Sequence, residues 1–534
     1  MSSRRGPREE VLDDFTGGLQ ERSLEAADFT QRSWAELYGM LLRDGRGVDV
    51  QPPLQRIGTG LRDAAFVAGY AGSETFYLIS VGTDDILRWT ELPERLASYS
   101  TANGAHWQTV GIEEPGLRLV GEGMWLPTDY GYRAGQIWGS ADTDRMFVIF
   151  ESNNGGLAHV TFEGDDLFPS FSESEPEGDE EPVRTVDAGK MPRGKVACVW
   201  GDSLVVAGGD WKSREDEPFG PDNATTHGNV MWISEPGRHD AFDPQAVAFP
   251  CSPNAEIVGL QPVDEGLLVF TTAVSDGDGI ILLRGGPSNP EKVVVRGGLG
   301  APVSTWEPER FDVMWERTGA AVFVANDGAV WQTDGVTVER LDAYGPEEPS
   351  WSSPSTHVAA LGDYLFLSRG HRLLALRAFA EDGAWSEIHV PWVTNPRSMS
   401  AVDADLVFVA DGYVWRLALA GRDDERGMVD GQPFTWRVST ATLSTHPHER
   451  SMWHRFGVAQ AGGRLLRVGL RAGAALDSDA PVLWHDVDEE LGGRGRWMVR
   501  GFGASREASV TVEGEGGERL ESVTVWHSGR RLLR

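Results

Sequence analysis

Few residues in this chain have the types and spacing that chemistry needs. The run SDGDG at 275–279 sets Asp276 and Asp278 two positions apart, which offers carboxylate oxygens to calcium. The remaining oxygen donors of a calcium-binding loop do not follow, so the run reads as a turn. His446, His448 and His454 lie close together, and three nearby imidazoles could hold zinc or another transition metal. His446 and His448 flank Pro447, however, and no cysteine near them completes a ligand set. Cys198 and Cys251 are far apart, form no Cys-x-x-Cys and sit in or beside apolar stretches. They are expected to be buried thiols, with no disulfide framework and no structural zinc. Gly58 and Gly60 do not continue into a dinucleotide-binding glycine pattern, and no P-loop, His-Glu-x-x-His or Gly-x-Ser-x-Gly is present. Carboxylate pairs are not diagnostic among 81 acidic residues. No catalytic, cofactor-binding or metal-ligating residue is therefore assigned, no cofactor is expected, and the expected class is not an enzyme.

What such residues would have to be mounted on is clearer. From about residue 62, short runs rich in Val, Leu, Phe and Trp alternate with Gly/Asp turns. They recur as FYLISVGTDDILRW (76–89), MFVIFESNNGGLAHV (146–160), DSLVVAGGD (202–210) with NVMWIS (229–234), and GLLVFTTAVSDGDGIILL (266–283). The series continues with AAVFVANDGAVWQTDG (320–335), DYLFLSRGHRLLAL (363–376) and ADLVFVADGYVWRL (404–417). Each unit is strand, turn, strand. Asn-Gly and Asp-Gly in several turns supply the positive φ that tight hairpins need. The best-matched pair is VFVANDGAVW (322–331) and VFVADGYVW (407–415). About seven units, spaced roughly 40–70 residues apart, each suffice for a four-stranded blade. The predicted fold is all-β, a β-propeller of about seven blades; a pair of β-sandwiches is the rival. The NDGAVW turn (326–331) lacks the leading Ser and the Thr-Trp ending of a sialidase Asp-box and reads as a plain hairpin.

Four regions follow. Residues 1–60 form a leader, with a short helix expected over Gln31–Leu42, where Asp28 would cap it. Trp34, Leu37, Tyr38 and Leu41 recur there at helical spacing, a docking face onto the main body. Residues 61–421 form the propeller, 422–433 a linker, and 434–534 a small C-terminal β-sandwich-like module whose strands could also complete or flank the propeller. The acidic run SESEPEGDEEP (172–182) reads as a solvated loop.

The formal net charge is −33. Gripping DNA through its phosphates needs an excess of Lys and Arg, so the balance argues against that mode; it reads first as a solvated, solubilising surface, and an acidic wall past which DNA slides is compatible with it. The first residues carry no apolar core of a secretory signal, and no stretch of about 18 apolar residues predicts a membrane span.

Three segments resemble the β-propeller proteins of short-tailed phage tails: the tail hub, tail nozzle or packaged-DNA stabilisation proteins. They are FTGGL (15–19) through QPPLQRIG (51–58), RGKVACVWGDSLVVAGGD (193–210) with NVMWISEPGRHDAFDP (229–244), and ERSMWHRFGVAQAGGRLLRVGLR (449–471). The tail beyond residue 475 does not share the likeness. The resemblance implies a structural virion protein of the tail, assembled in host cytoplasm. Its partners would be copies of itself in a homo-hexameric ring, portal and adaptor proteins, and tail fibre or spike proteins. Genomic DNA would pass through the channel without sequence-specific binding. The leader and the C-terminal module would make the inter-subunit and portal-side contacts. A carbohydrate-binding or depolymerising propeller, its Trp side chains stacking on sugars, and a WD40-like interaction scaffold are the alternatives. The absence of a regular Trp-Asp ending to each unit weighs against the latter.

Overall fold

Two-residue hairpins are the recurring joint of the chain. Trp200 pairs with Ser203, Val263 with Gly266, Leu361 with Tyr364 and Val402 with Asp405, so each first strand turns into its second within two residues. In the turn between Ala410 and Tyr413, Asp411 has φ 51° and Gly412 φ 74°. That is the positive-φ pair the sequence predicts for an Asp-Gly hairpin. The computed structural model describes residues 8–12, 34–42, 47–56 and the strands between 64 and 185. It also describes 194–208, 228–299 apart from 237, 254, 273–277 and 298, then 313–315, 321–325 and 329–341. Beyond these it describes 357–392 apart from 363, 370 and 378–383, then 396, 398–402, 405–419, 426–444, 450–471, 482–490, 494–500, 504–505 and 507–530. No helix occurs among the described residues.

Seven sheets are built on these hairpins, spanning 64–109, 133–169, 194–248, 257–296, 313–340, 357–388 and 398–417. Their first strands are Ala64–Ala71, Arg133–Ser140, Gly194–Trp200, Ile257–Val263, Val313–Trp315, His357–Leu361 and Ser398–Val402. Each lies beside the next, and Ser398–Val402 returns to lie beside Ala64–Ala71. The ring closes, and the chain is a seven-bladed β-propeller. Second strands such as Ser203–Gly208, Gly266–Thr271 and Asp405–Ala410 are buried at every position. Packed on both faces by neighbouring blades, they read as continuous apolar runs rather than as alternation. Phe270 of the fourth blade meets Phe323 of the fifth at 4.8 Å between ring centroids.

The leader is built into this body. It contributes β1 (Arg8–Leu12), β2 (Trp34–Tyr38), β3 (Met40–Leu41), β4 (Val48–Val50) and β5 (Leu54–Arg56). The predicted helix over Gln31–Leu42 is corrected: Trp34–Tyr38 and Met40–Leu41 are strands. A bulge between Trp34 and Glu36 resets the side-chain alternation, so Trp34 and Leu37 both enter the core three positions apart. The apolar spacing of a helix here comes from an irregular strand. Asp28 lies outside the described residues. The acidic run is partly a hairpin as well, because Ser172–Glu173 pairs with Arg184–Thr185; residues 174–183 lie outside the description. Residues 426–433, in the predicted linker, contain Met428–Val429, which pairs with β5, and Gln432–Pro433.

Strand β5 supplies the fourth strand of the seventh blade: Leu54 pairs with Leu417, Gln55 with Arg416 and Arg56 with Trp415. Strand β2 lies between Ala384–Ile388, the outer strand of the sixth blade, and Thr435–Thr440. One sheet of ten strands therefore runs from the sixth blade through β2 into the C-terminal module. There Thr435–Thr440, Glu507–Glu515, Arg464–Arg471 and Val482–Glu490 follow in spatial order. A second sheet packs against it, with β3, β4, Arg519–Arg530, Arg450–Ala461 and Arg494–Arg500 in order and β1 against Arg519–Arg530. Between the two sheets Trp436, Val438, Trp453, Phe456, Val468, Val512 and Val525 form a core with Trp34 and Leu37. The predicted C-terminal β-sandwich is this pair of sheets, with leader strands in both.

Candidate functional site: the junction of leader, propeller and sandwich

The residues singled out for chemistry do not converge. Asp278 accepts a hydrogen bond from the Ser252 amide at 3.0 Å and pairs with Lys292 at 3.1 Å, so its carboxylate ties a loop to the fourth blade. Asp276 lies outside the described residues. His454 shares a 2.6 Å hydrogen bond with the Ser528 hydroxyl on the neighbouring strand, while His446 and His448 lie outside the description. No group of three metal-binding side chains occurs among the described residues. Cys198 and Cys251 are both buried in the core of the third and fourth blades. Burial pushes the Cys198 thiol far up, and burial with the nearby Asp278 charge pushes Cys251 to about 12. Neither forms a thiolate nucleophile at neutral pH.

Polar groups gather instead where the leader threads between propeller and sandwich. Gly39, with φ 70°, turns the chain between β2 and β3. Its amide donates to the Glu387 carbonyl at 2.7 Å, and its carbonyl accepts from the Gln51 amide at 3.0 Å. The Gln51 carbonyl accepts from Gly427 at 2.9 Å. The fully buried Gln51 side chain faces the backbone of His389 like one more strand residue. Its Oε1 accepts from the His389 amide at 2.6 Å and its Nε2 donates to the His389 carbonyl at 3.0 Å. Buried backbone groups left without partners cost about 1–3 kcal/mol each. Gln51→Leu, which orphans both, is expected to lower stability by about 2–4 kcal/mol in chemical denaturation. An unchanged midpoint would remove the clasp from the account.

The His389 ring shares a 2.5 Å hydrogen bond through Nδ1 with the Tyr38 hydroxyl and stacks on Phe434 at 4.5 Å. Burial pulls its pKa below the ordinary 6.5. Above pH 6.5 the imidazole is neutral in both states, and its contribution is intact. As pH falls below 6.5 the unfolded chain takes up a proton that the folded site resists, so stability declines down to the folded pKa. His389→Gln is expected to flatten this part of the stability–pH curve, measured by denaturant midpoints. An equal slope in wild type and variant would assign the decline elsewhere.

A row of charge crosses the outer face of the ten-stranded sheet. In register stand Glu387, Tyr38, Arg437, Glu513, Arg467 and Asp486, one from each of six adjacent strands. Arg372 grips Glu387 with two nitrogens, at 3.2 and 2.8 Å. Arg437 reaches Glu513 at 2.7 Å and Glu36 at 3.3 Å, and Arg467 binds the other Glu513 oxygen. Glu36 also accepts from Ser439 at 3.0 Å, yet burial outweighs these partners and raises its pKa. Arg467 stacks on Trp484 at 4.0 Å from the ring centroid. The Trp484 ring in turn lies over Gly469, where a Cβ would come within 2.8 Å of it. Opposite charges facing across strands stabilise a sheet and discourage slippage between strands. This junction fastens three parts of the chain together; the groups it assembles are held by one another and arranged for rigidity.

Sequence reasoning did not single out Gln51, His389, Glu513 or the buried Asp405–Arg416 pair. Their partners lie as far as 351 positions away, and no local pattern announces such pairs.

No family model and no curated protein matches the chain. Among solved structures, the β-propeller domain of Cps50 (Swd1) from Myceliophteria thermophila is 11% identical with TM-score 0.40, covering 68% of this chain and 99% of that one. An exo-β-1,3-galactanase from Phanerochaete chrysosporium is 10% identical with TM-score 0.27, covering 86% and 95%. PorZ of the type-IX secretion system of Porphyromonas gingivalis is 9% identical with TM-score 0.36, covering 75% and 44%. At these identities the likeness concerns the fold alone.

Proposed function

We propose that the chain is a structural component of a phage tail, one subunit of a ring below the portal and adaptor that retains the genome and conducts it outward. The observation that carries this reading is the distribution of charge on a stiffened frame. Residues 1–433 hold 34 basic and 69 acidic residues, a net −35, whereas residues 434–534 hold 14 arginines and 12 acids. A propeller and leader so acidic have little affinity for phosphates, and DNA passes such a wall without sticking. The closed ring of blades limits exposed strand edges, and the leader ties the ring to the sandwich. A conduit under internal pressure needs that continuity. The likeness of residues 15–58, 193–244 and 449–471 to tail hub and nozzle proteins supports the same role. With β2 to β5 occupied inside the molecule, contacts to neighbouring tail proteins fall to the sandwich and the blade edges.

Quantitative mass spectrometry on density-purified particles tests the reading. About six copies per twelve portal subunits are expected of a ring matched to a portal. Absence from particles overturns it and directs the search to glycan binding and peptide partners.

A further inference from the structure

The leader closes blades by adding strands to them. β2 lies along the outer strand of the sixth blade, and β5 completes the seventh. The fourth blade has no such cover: its outermost strand, Glu291–Arg296, carries no further strand on its outer side among the described residues. Val293 and Val295 turn toward the core of the fourth and fifth blades. Lys292, Val294 and Arg296 alternate with them and are exposed, Val294 to 50%. A second open edge lies on the sandwich. Val482–Glu490 ends the ten-stranded sheet and pairs only with Arg464–Arg471 among the described residues. Leu483 stands opposite Leu470, which stands opposite Val510. Leu470 and Val510 are buried in the sandwich core, yet Leu483, in the same row, is 54% exposed. The core-facing row thus runs past its cover at this edge. Trp484 and Asp486 belong to the opposite face, and Asp486 is exposed.

An unpaired edge is a template for another strand, and charges along it discourage indiscriminate pairing. Here the charges select one antiparallel register between the two edges. With Lys292 opposite Asp486 of a second copy, Val294 falls opposite Trp484 and Val295 opposite Leu483 of that copy. Opposite charges, and an aromatic facing a β-branched residue, are both favourable across strands. A slip of two residues one way sets Glu291 against Glu489, and the other way takes Lys292 off Asp486. Lys292 already pairs with Asp278 at 3.1 Å, but an ammonium carries three donors and can hold a second carboxylate. We infer that Glu291–Arg296 of one copy and Val482–Val487 of a second copy of this chain join as one continuous antiparallel sheet. The contact joins two different surfaces, so repeating it generates a ring or an open array according to the rotation. A single short ladder is a small interface, so the association is weak and depends on protein concentration.

Sedimentation of the purified full chain over a range of concentrations, apart from any particle, tests this. The wild type is expected to associate as concentration rises. Val294→Lys and Leu483→Lys each place a charge at a position already open to solvent. Each alone is expected to weaken association at least tenfold, with circular dichroism and melting unchanged. Either variant keeps the other edge intact, so an equal mixture of the two is expected to form dimers and nothing larger. Carbodiimide cross-linking of wild type mixed with heavy-isotope-labelled wild type needs no variant, and decides the matter should a lysine variant misfold. It is expected to join Lys292 of one copy to Asp486 of another. A wild type monomeric at every concentration overturns the inference, as do single variants that associate like wild type. A mixture that stays monomeric or grows beyond dimers also overturns it, and so does a multimer lacking the Lys292–Asp486 link. Failure here leaves particle abundance, and with it the tail reading, to be judged separately.

Discussion

Deletion of residues 1–56 is expected to abolish cooperative folding of the whole chain, the blades included. Trp34, Leu37, Met40, Leu41, Leu42, Val48, Val50 and Leu54 are all buried. At about 1.5–3 kcal/mol for each large apolar side chain, the burial of these eight is worth about 12–24 kcal/mol, as much as or more than the 5–15 kcal/mol that holds a typical domain folded. The loss is also topological. Without β5 the seventh blade lacks its fourth strand; without β2 the ten-stranded sheet parts between Ala384–Ile388 and Thr435–Thr440. Circular dichroism and calorimetry on the truncated chain check this. A soluble product with one sharp unfolding transition near that of wild type would mean the leader is an accessory rather than a structural strap.

The second large effect concerns a pair deep in the seventh blade. Asp405 and Arg416 lie 2.7 Å apart with side chains 1% and 2% exposed. Asp405 opens the second strand of its hairpin, and Arg416 lies on the third, opposite Gln55 of β5. Asp405→Ala strands a guanidinium where water does not reach, and a loss of about 3–5 kcal/mol is expected. The double variant Asp405→Leu/Arg416→Met removes both charges and is expected to recover most of that loss, because replacing a buried pair with apolar groups is often neutral. Denaturation midpoints of the two variants and wild type decide it. If the double variant is as unstable as the single one, the hydrogen-bond geometry of the pair, rather than the uncompensated charge, sustains the blade.

Much of the propeller was legible because its signals are local. VFVADGYVW contains its own strands and turn, and Asp411–Gly412 adopts the predicted conformation. The leader misled because Trp34, Leu37, Tyr38 and Leu41 satisfy a helical period, while the bulge that produces the spacing is visible only once Thr435–Thr440 lies alongside. The junction was illegible for the same reason at longer range. Gln51 is an ordinary polar residue in QPPLQRIG until His389 is brought against it. The three clustered histidines show the converse, since proximity in sequence left His454 bonded to a serine from another strand.

The way β5 closes the ring has a consequence for biosynthesis. Its partner in the seventh blade, Tyr413–Leu417, emerges from the ribosome long after Leu54–Arg56. At ~5–20 residues per second, that wait is roughly 20–70 s. Strand β1 waits longer, for Arg519–Arg530. During that interval the first blade has no seventh blade beside it, and the apolar side chains of the leader have no core to enter. Such exposed strands and apolar side chains favour aggregation, so the nascent chain is a natural client for chaperones. Ring closure and attachment of the sandwich then come together, near the end of translation.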